Sequence, residues 1–125
     1  MQITLFLHID FLTLVYFQIC LLMLVHFIGD FLLQPRKIAD IKYKNIYALL
    51  LHCFLYTLPF FVFYYFNLCF VIATFCLHFL VDFQSSKLTH KFANEEQWYS
   101  FFVTIGFDQL LHILLLLATF RFFEV

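Results

Sequence analysis

The chain is patterned as long apolar runs separated by two polar connections. Residues 11–33 form the first nearly unbroken apolar run, which Pro35 ends, and residues 46–65 form the second, with Pro59 inside it. Residues 68–83 and 99–120 form the third and fourth. A helix needs roughly 20 apolar residues to cross the hydrocarbon of a bilayer, so each run predicts a transmembrane helix. The third is short for that task. Continuous runs, with none of the polar–apolar alternation of a barrel strand, exclude a β-barrel. The two connections, residues 35–45 and 84–97, are polar, whereas the link at residues 65–67 is short and uncharged.

Composition agrees with this pattern. Of 125 residues, 65% are hydrophobic and only 12% charged, with 21 phenylalanines. Soluble domains carry roughly 25% charged residues, and no water-soluble fold of this size could hide so much apolar surface. The two glycines and two prolines give little turn punctuation, as long helices require. The start of the chain has no positive charge and no small-residue cleavage pattern, so the first helix is expected to remain in the mature protein. Cys20, Cys53, Cys69 and Cys76 lie inside apolar runs without C-x-x-C spacing, and read as buried thiols. The expected unit is a single integral-membrane domain, all-α with four helices.

Charge sets the topology. Arg36, Lys37, Lys42, Lys44, Lys87 and Lys91 fall in the two polar connections, against Arg121 alone at the other end. Positive residues favour the cytoplasmic side, which places both connections inside and both termini outside. Trp98 with Tyr99, and Tyr64 with Tyr65, fit interfacial aromatic belts. A net charge of −1 gives no footprint for nucleic acid.

Short echoes point to an internal repeat. His26-Phe27-Ile28-Gly29-Asp30-Phe31 returns as His78-Phe79-Leu80-Val81-Asp82-Phe83, and Leu50-Leu51-His52 returns as Leu110-Leu111-His112. The expected arrangement is two pseudo-repeated helical hairpins, parallel repeats about an axis along the membrane normal.

The echoes also carry the candidate chemistry. His26, Asp30 and Gln34 share one helical face by their spacing, as do His78 and Asp82, and Asp108 and His112, with Gln109 beside them. An aspartate at the centre of a spanning helix costs about 2.5–3.5 kcal/mol, so three of them must face the bundle interior. One His–Asp pair reads as packing glue between helices. Three pairs plus His52, from four helices, point to a functional site. Imidazole and carboxylate suit a divalent metal, zinc first, with manganese or iron as alternatives. The expected ligands come from His26, Asp30, His52, His78, Asp82 and His112, with Asp108 as catalytic base and Gln34 and Gln109 completing the polar cluster. His8 and Asp10 read as interfacial, His90 as a solvated loop residue, and Ser85 and Ser86 as the end of the third helix.

The ordered motifs H-F-x-x-D-F-x-x-Q, L-L-L-H, H-F-x-x-D and D-Q-x-x-H resemble those of a family of small bacterial and phage-borne integral-membrane proteins, catalogued as a domain of unknown function (number 3307). The resemblance implies a bacterial inner-membrane protein whose signature positions here are His26, Asp30, Gln34, His52, His78, Asp82, Asp108, Gln109 and His112. It also implies a lysine soon after the third-helix aspartate, whereas Gln84-Ser85-Ser86 precede Lys87 here. The motifs are similar in style to those of bacterial membrane-bound metal-dependent hydrolases. Three functions follow from the residues: a metal-dependent hydrolase of a membrane-associated substrate, a lipid-linked or headgroup ester; a proton- or metal-ion-conducting component acting as a homo-oligomer; or a non-catalytic anchor or effector that meets a cytoplasmic protein through its basic loops.

Overall fold

The structure is a computed structural model that describes the backbone from Gln2 and the side chains from Leu12 to Val125. The expectation for His8 and Asp10 lies outside the described side chains. Helix α1 (Gln2–Phe27) runs into a π-helical turn, Ile28–Leu32, followed by a short helix α2 (Arg36–Ala39) and three long helices: α3 (Ile46–Tyr64), α4 (Leu68–Asn94) and α5 (Trp98–Phe122). The described chain is all helix and turn, without a strand. Four stretches, Leu12–Leu32, Ile46–Tyr64, Leu68–Asn94 and Trp98–Phe122, are long and apolar enough to cross a membrane, with mean hydropathies over an 18-residue window of 2.1, 2.0, 1.7 and 1.9.

Local chemistry sets the helix ends. The Asn45 side chain accepts from the Tyr47 and Ala48 amides at 2.9 and 3.2 Å and caps α3, the role for which asparagine is favoured. Asn67 accepts from the Phe70 amide at 3.0 Å to cap α4, and its Nδ2 donates to the Phe123 carbonyl at 3.2 Å. That second bond ties the α3–α4 turn to the end of α5. Glu96 turns the chain between α4 and α5 in the left-handed region, at φ 55°.

One boundary differs from the sequence expectation. α4 does not stop near Phe83 but continues to Asn94, so Ser85 and Ser86 lie inside a helix. No glycine or proline interrupts this stretch, and Thr89 Oγ1 returns a hydrogen bond to the Ser85 carbonyl at 2.9 Å, which keeps a polar segment helical. At about 1.5 Å per residue, α4 is about 40 Å long, against about 30 Å of hydrocarbon. The helix is therefore about 10 Å longer than that layer is thick.

The helices pack in sequence, α3 on α4 and α4 on α5, while α1 meets α3 mainly through the π-turn. In that turn the Leu33 amide bonds the Ile28 carbonyl at 2.9 Å, and Gly29 sits on the α3 backbone. The apolar core holds Leu22, Val25, Tyr56, Phe60, Tyr64, Phe70, Val71 and Leu116. Tyr64 belongs to this core, edge-on to Phe70 and Phe120, and so is not the belt residue that its position near a helix end implies. Tyr65, Trp98 and Tyr99 are exposed. Of the cysteines only Cys53 is buried; Cys20, Cys69 and Cys76 are free thiols on outer helix faces.

Candidate metal centre

All four helices deliver polar side chains to one buried cluster. His26, Asp30, His52, His78, Asp82 and His112 are each at most 5% exposed. The π-turn supplies Asp30, α3 supplies His52, α4 supplies His78 and Asp82, and α5 supplies Asp108, Gln109 and His112.

Four of these converge most closely. His52 Nε2 lies 3.0 Å from His78 Nε2, 3.0 Å from Asp82 Oδ2 and 3.3 Å from Asp30 Oδ1. His78 Nε2 is 3.6 Å from Asp30 Oδ1 and 3.9 Å from Asp82 Oδ2. A tetrahedral zinc site with bonds of about 2.0–2.1 Å has donor–donor edges of about 3.3–3.4 Å, and the five distances straddle that value. Asp30, His52, His78 and Asp82 thus form a buried group able to hold a metal ion. A second group, Asp82, Asp108 and His112, shares Asp82 with the first.

His26 belongs to neither group, because both its ring nitrogens are committed. Nδ1 is 3.1 Å from Tyr56 Oη and Nε2 is 3.1 Å from Gln109 Oε1. Gln109 Nε2 donates to Asp30 Oδ2 at 2.8 Å and to Asp108 Oδ2 at 3.1 Å. Carboxylates only accept, so the Gln109 oxygen must face His26, and His26 Nε2 must donate. Tyr56 then donates to His26 Nδ1. The result is an ordered relay, Tyr56 to His26 to Gln109 to the two aspartates, that fixes the carboxylates from behind.

Tyr56 and Lys42 are the site residues that sequence reasoning missed. The Tyr56 ring stacks on His78 with centroids 3.6 Å apart and planes at 9°, holding the imidazole in place. Its one sequence signal is a position four residues after His52, weak in so aromatic a run. Lys42, counted above only as a topology charge, turns inward from the α2–α3 connection and donates to Asp82 Oδ2 at 2.6 Å. Among the described residues it is the one lysine or arginine in ion-pair contact with any of the three clustered aspartates, through Asp82.

A cleft of about 560 Å³ opens onto the cluster from the end that carries the basic connections. Asp30, Asp82, Asp108 and Gln109 form its floor, and Gln34, Lys42, Tyr43, Ser85, Ser86, Thr89 and His90 are among its walls. Gln34 lies past the end of the π-turn, so it lines the entrance instead of continuing the His26–Asp30 face. His90 corrects another expectation. It is helical, half-buried and stacked on Tyr43 with centroids 3.4 Å apart, so it pins the α2–α3 connection across the cleft. Lys87 lies over the Phe83 ring at 3.5 Å.

No curated protein and no solved structure matches the chain. Residues 17–125 match the family described as "Protein of unknown function (DUF3307)". The convergence of the H-F-x-x-D, L-L-H and D-Q-x-x-H motifs on one buried cluster accompanies that match over most of the sequence, and the chain belongs to the DUF3307 family.

Proposed function

We propose that the protein is a membrane-embedded, metal-dependent hydrolase acting on an ester or phosphoester bond in a lipid headgroup. One observation carries this reading: two imidazole nitrogens and two carboxylate oxygens meet at the spacing of a metal coordination shell beneath a polar cleft. The cleft volume falls within the usual range of small-molecule sites.

The donors fit zinc best, through His52, His78, Asp30 and Asp82, since two imidazoles and two carboxylates at tetrahedral spacing are zinc's ordinary company. A bound zinc would supply Lewis acidity and would lower the pKa of a water. The chain's own groups do the rest. Gln109 orients Asp30, the Tyr56 ring orients His78, and Lys42 places a positive charge where an anionic headgroup would enter. Asp108 lines the cleft, and its Oδ1 has no hydrogen-bond partner, which suits a proton acceptor.

Below the cluster, Tyr56, Phe60, Tyr64 and Phe70 fill the bundle. That packing favours a dead-end site over an ion path, and Lys42 faces Asp82. The positive charge bias supports cytoplasmic connections with both termini outside.

Elemental analysis of protein purified in detergent without chelator tests the reading. The expected result is about one zinc per chain, lost in His52→Ala and His78→Ala, together with metal-dependent release of phosphate or fatty acid from mixed micelles of anionic and zwitterionic phospholipids. Protein that takes up no divalent metal after reconstitution would rule it out.

A further inference from the structure

Beyond the four-donor site, the second group of donors, Asp82, Asp108 and His112, shows features of a site in its own right. We propose that it holds a second divalent cation, with Asp82 as a carboxylate bridging two ions. This inference rests on the first site binding metal.

The two oxygens of Asp82 divide between the groups. Oδ2 faces His52 at 3.0 Å and His78 at 3.9 Å, whereas Oδ1 faces His112 Nε2 at 3.8 Å. His112 is 3% exposed, yet neither of its ring nitrogens makes a hydrogen bond among the described residues, and Asp108 Oδ1 also lacks a partner. The nearest carboxylate oxygens stand 3.5 Å from Nδ1 and 3.8 Å from Nε2. Buried polar groups are nearly always paired. His26 shows the contrast, since both its nitrogens are taken. An unpaired imidazole and an unpaired carboxylate oxygen beside Asp82, with both aspartates lining the cleft, are what a cation would complete.

The geometry and chemistry agree with a two-ion centre. Paired-metal hydrolases hold their ions about 3.5–4 Å apart, a separation that the two oxygens of one carboxylate can span. Two carboxylates and one imidazole form a harder donor set than the first group, suited to manganese or magnesium. Charge gives the substrate class. Three aspartates are opposed by Lys42 and two dications, which leaves an excess of two positive charges for an anionic, phosphorylated group to neutralise. Asp108 then holds a cation instead of accepting a proton.

Manganese titration of the full chain in detergent, after chelation and dialysis, tests this. Wild-type protein should bind about two Mn²⁺ per chain, with an electron paramagnetic resonance signal of a magnetically coupled pair. Asp108→Asn, nearly isosteric and not itself a donor of the first group, should weaken one site about tenfold or more and abolish the coupling while the other site stays filled. His112→Ala should do the same. A single uncoupled ion in wild type, or a stoichiometry unchanged in Asp108→Asn, overturns the second site, leaves the first reading standing and returns Asp108 to the role of base. Wild-type protein that binds neither manganese nor zinc overturns both.

Discussion

Gly29 lies so close to the backbone of Tyr56 that a Cβ built on it would stand 2.5 Å from the Tyr56 carbonyl oxygen. The missing side chain lets the π-turn seat itself on α3, and that contact brings Asp30 to within 3.3 Å of His52. A methyl group there would push the two segments apart at the residue that also stacks on His78. Gly29→Ala is expected to lower stability by about 1–3 kcal/mol, the usual cost of overpacking, and to weaken metal binding with it. Gly106 is the internal control, because nothing lies within 4 Å of a Cβ added there. Gly106→Ala should raise stability by about 0.5–1 kcal/mol through helix propensity alone. Thermal unfolding of both variants in the same detergent, read by circular dichroism, makes the comparison.

Lys42 and a metal ion would compete for Asp82. With Nζ 2.6 Å from Oδ2, the lysine neutralises part of a buried charge that would otherwise be costly. Lys42→Met should destabilise metal-free protein by up to about 3 kcal/mol and enlarge the stabilisation gained on adding zinc. Melting temperatures with and without zinc measure both effects. An equal loss in the two states would mean that Lys42 and the metal do not share Asp82.

The relay behind the carboxylates predicts graded effects. Tyr56→Phe keeps the ring on His78 but removes the donor to His26, and should weaken zinc binding about tenfold. Gln109→Ala frees Asp30 and Asp108 together, so its loss should reach about a hundredfold. Calorimetric titration ranks the two, and the reverse order would deny Gln109 its orienting role.

Metal affinity should depend steeply on pH. His52 and His78 must be neutral to present Nε2 as ligands, so each proton they bind competes with the ion. Affinity is therefore highest where both imidazoles are neutral and falls as pH drops, by up to about a hundredfold per pH unit where two protons are displaced. Zinc titrations between pH 5 and pH 8 check the direction and the slope.

Much of this was legible in the sequence for a physical reason. The hydrocarbon layer imposes a length and an apolarity that four runs satisfy, and it makes intramembrane His and Asp costly enough to be conspicuous. Residues whose role depends on a partner were not legible. His26 and His78 have the same H-F-x-x-D context, yet Tyr56 and Gln109 occupy His26 while His78 faces the donors. Lys42 is one lysine among several until the α2–α3 connection folds inward. The extension of α4 was hidden because Ser85, Ser86 and Thr89 look like a loop to any scale that counts polarity, although the Thr89 hydroxyl bonds back to the Ser85 and Ser86 carbonyls along the helix.

The polar extension of α4 has a kinetic consequence. The cleft walls at Thr89, His90 and Ala93 stand on the polar last turns of α4, past its apolar stretch, where headgroups would lie if that stretch spans a bilayer. A lipid could present its polar end there without withdrawing its acyl chains. Encounter would then be a search in two dimensions, governed by lateral diffusion and by the mole fraction of substrate in the membrane. Diluting such a substrate with inert lipid should slow turnover even when its total amount in the sample is unchanged.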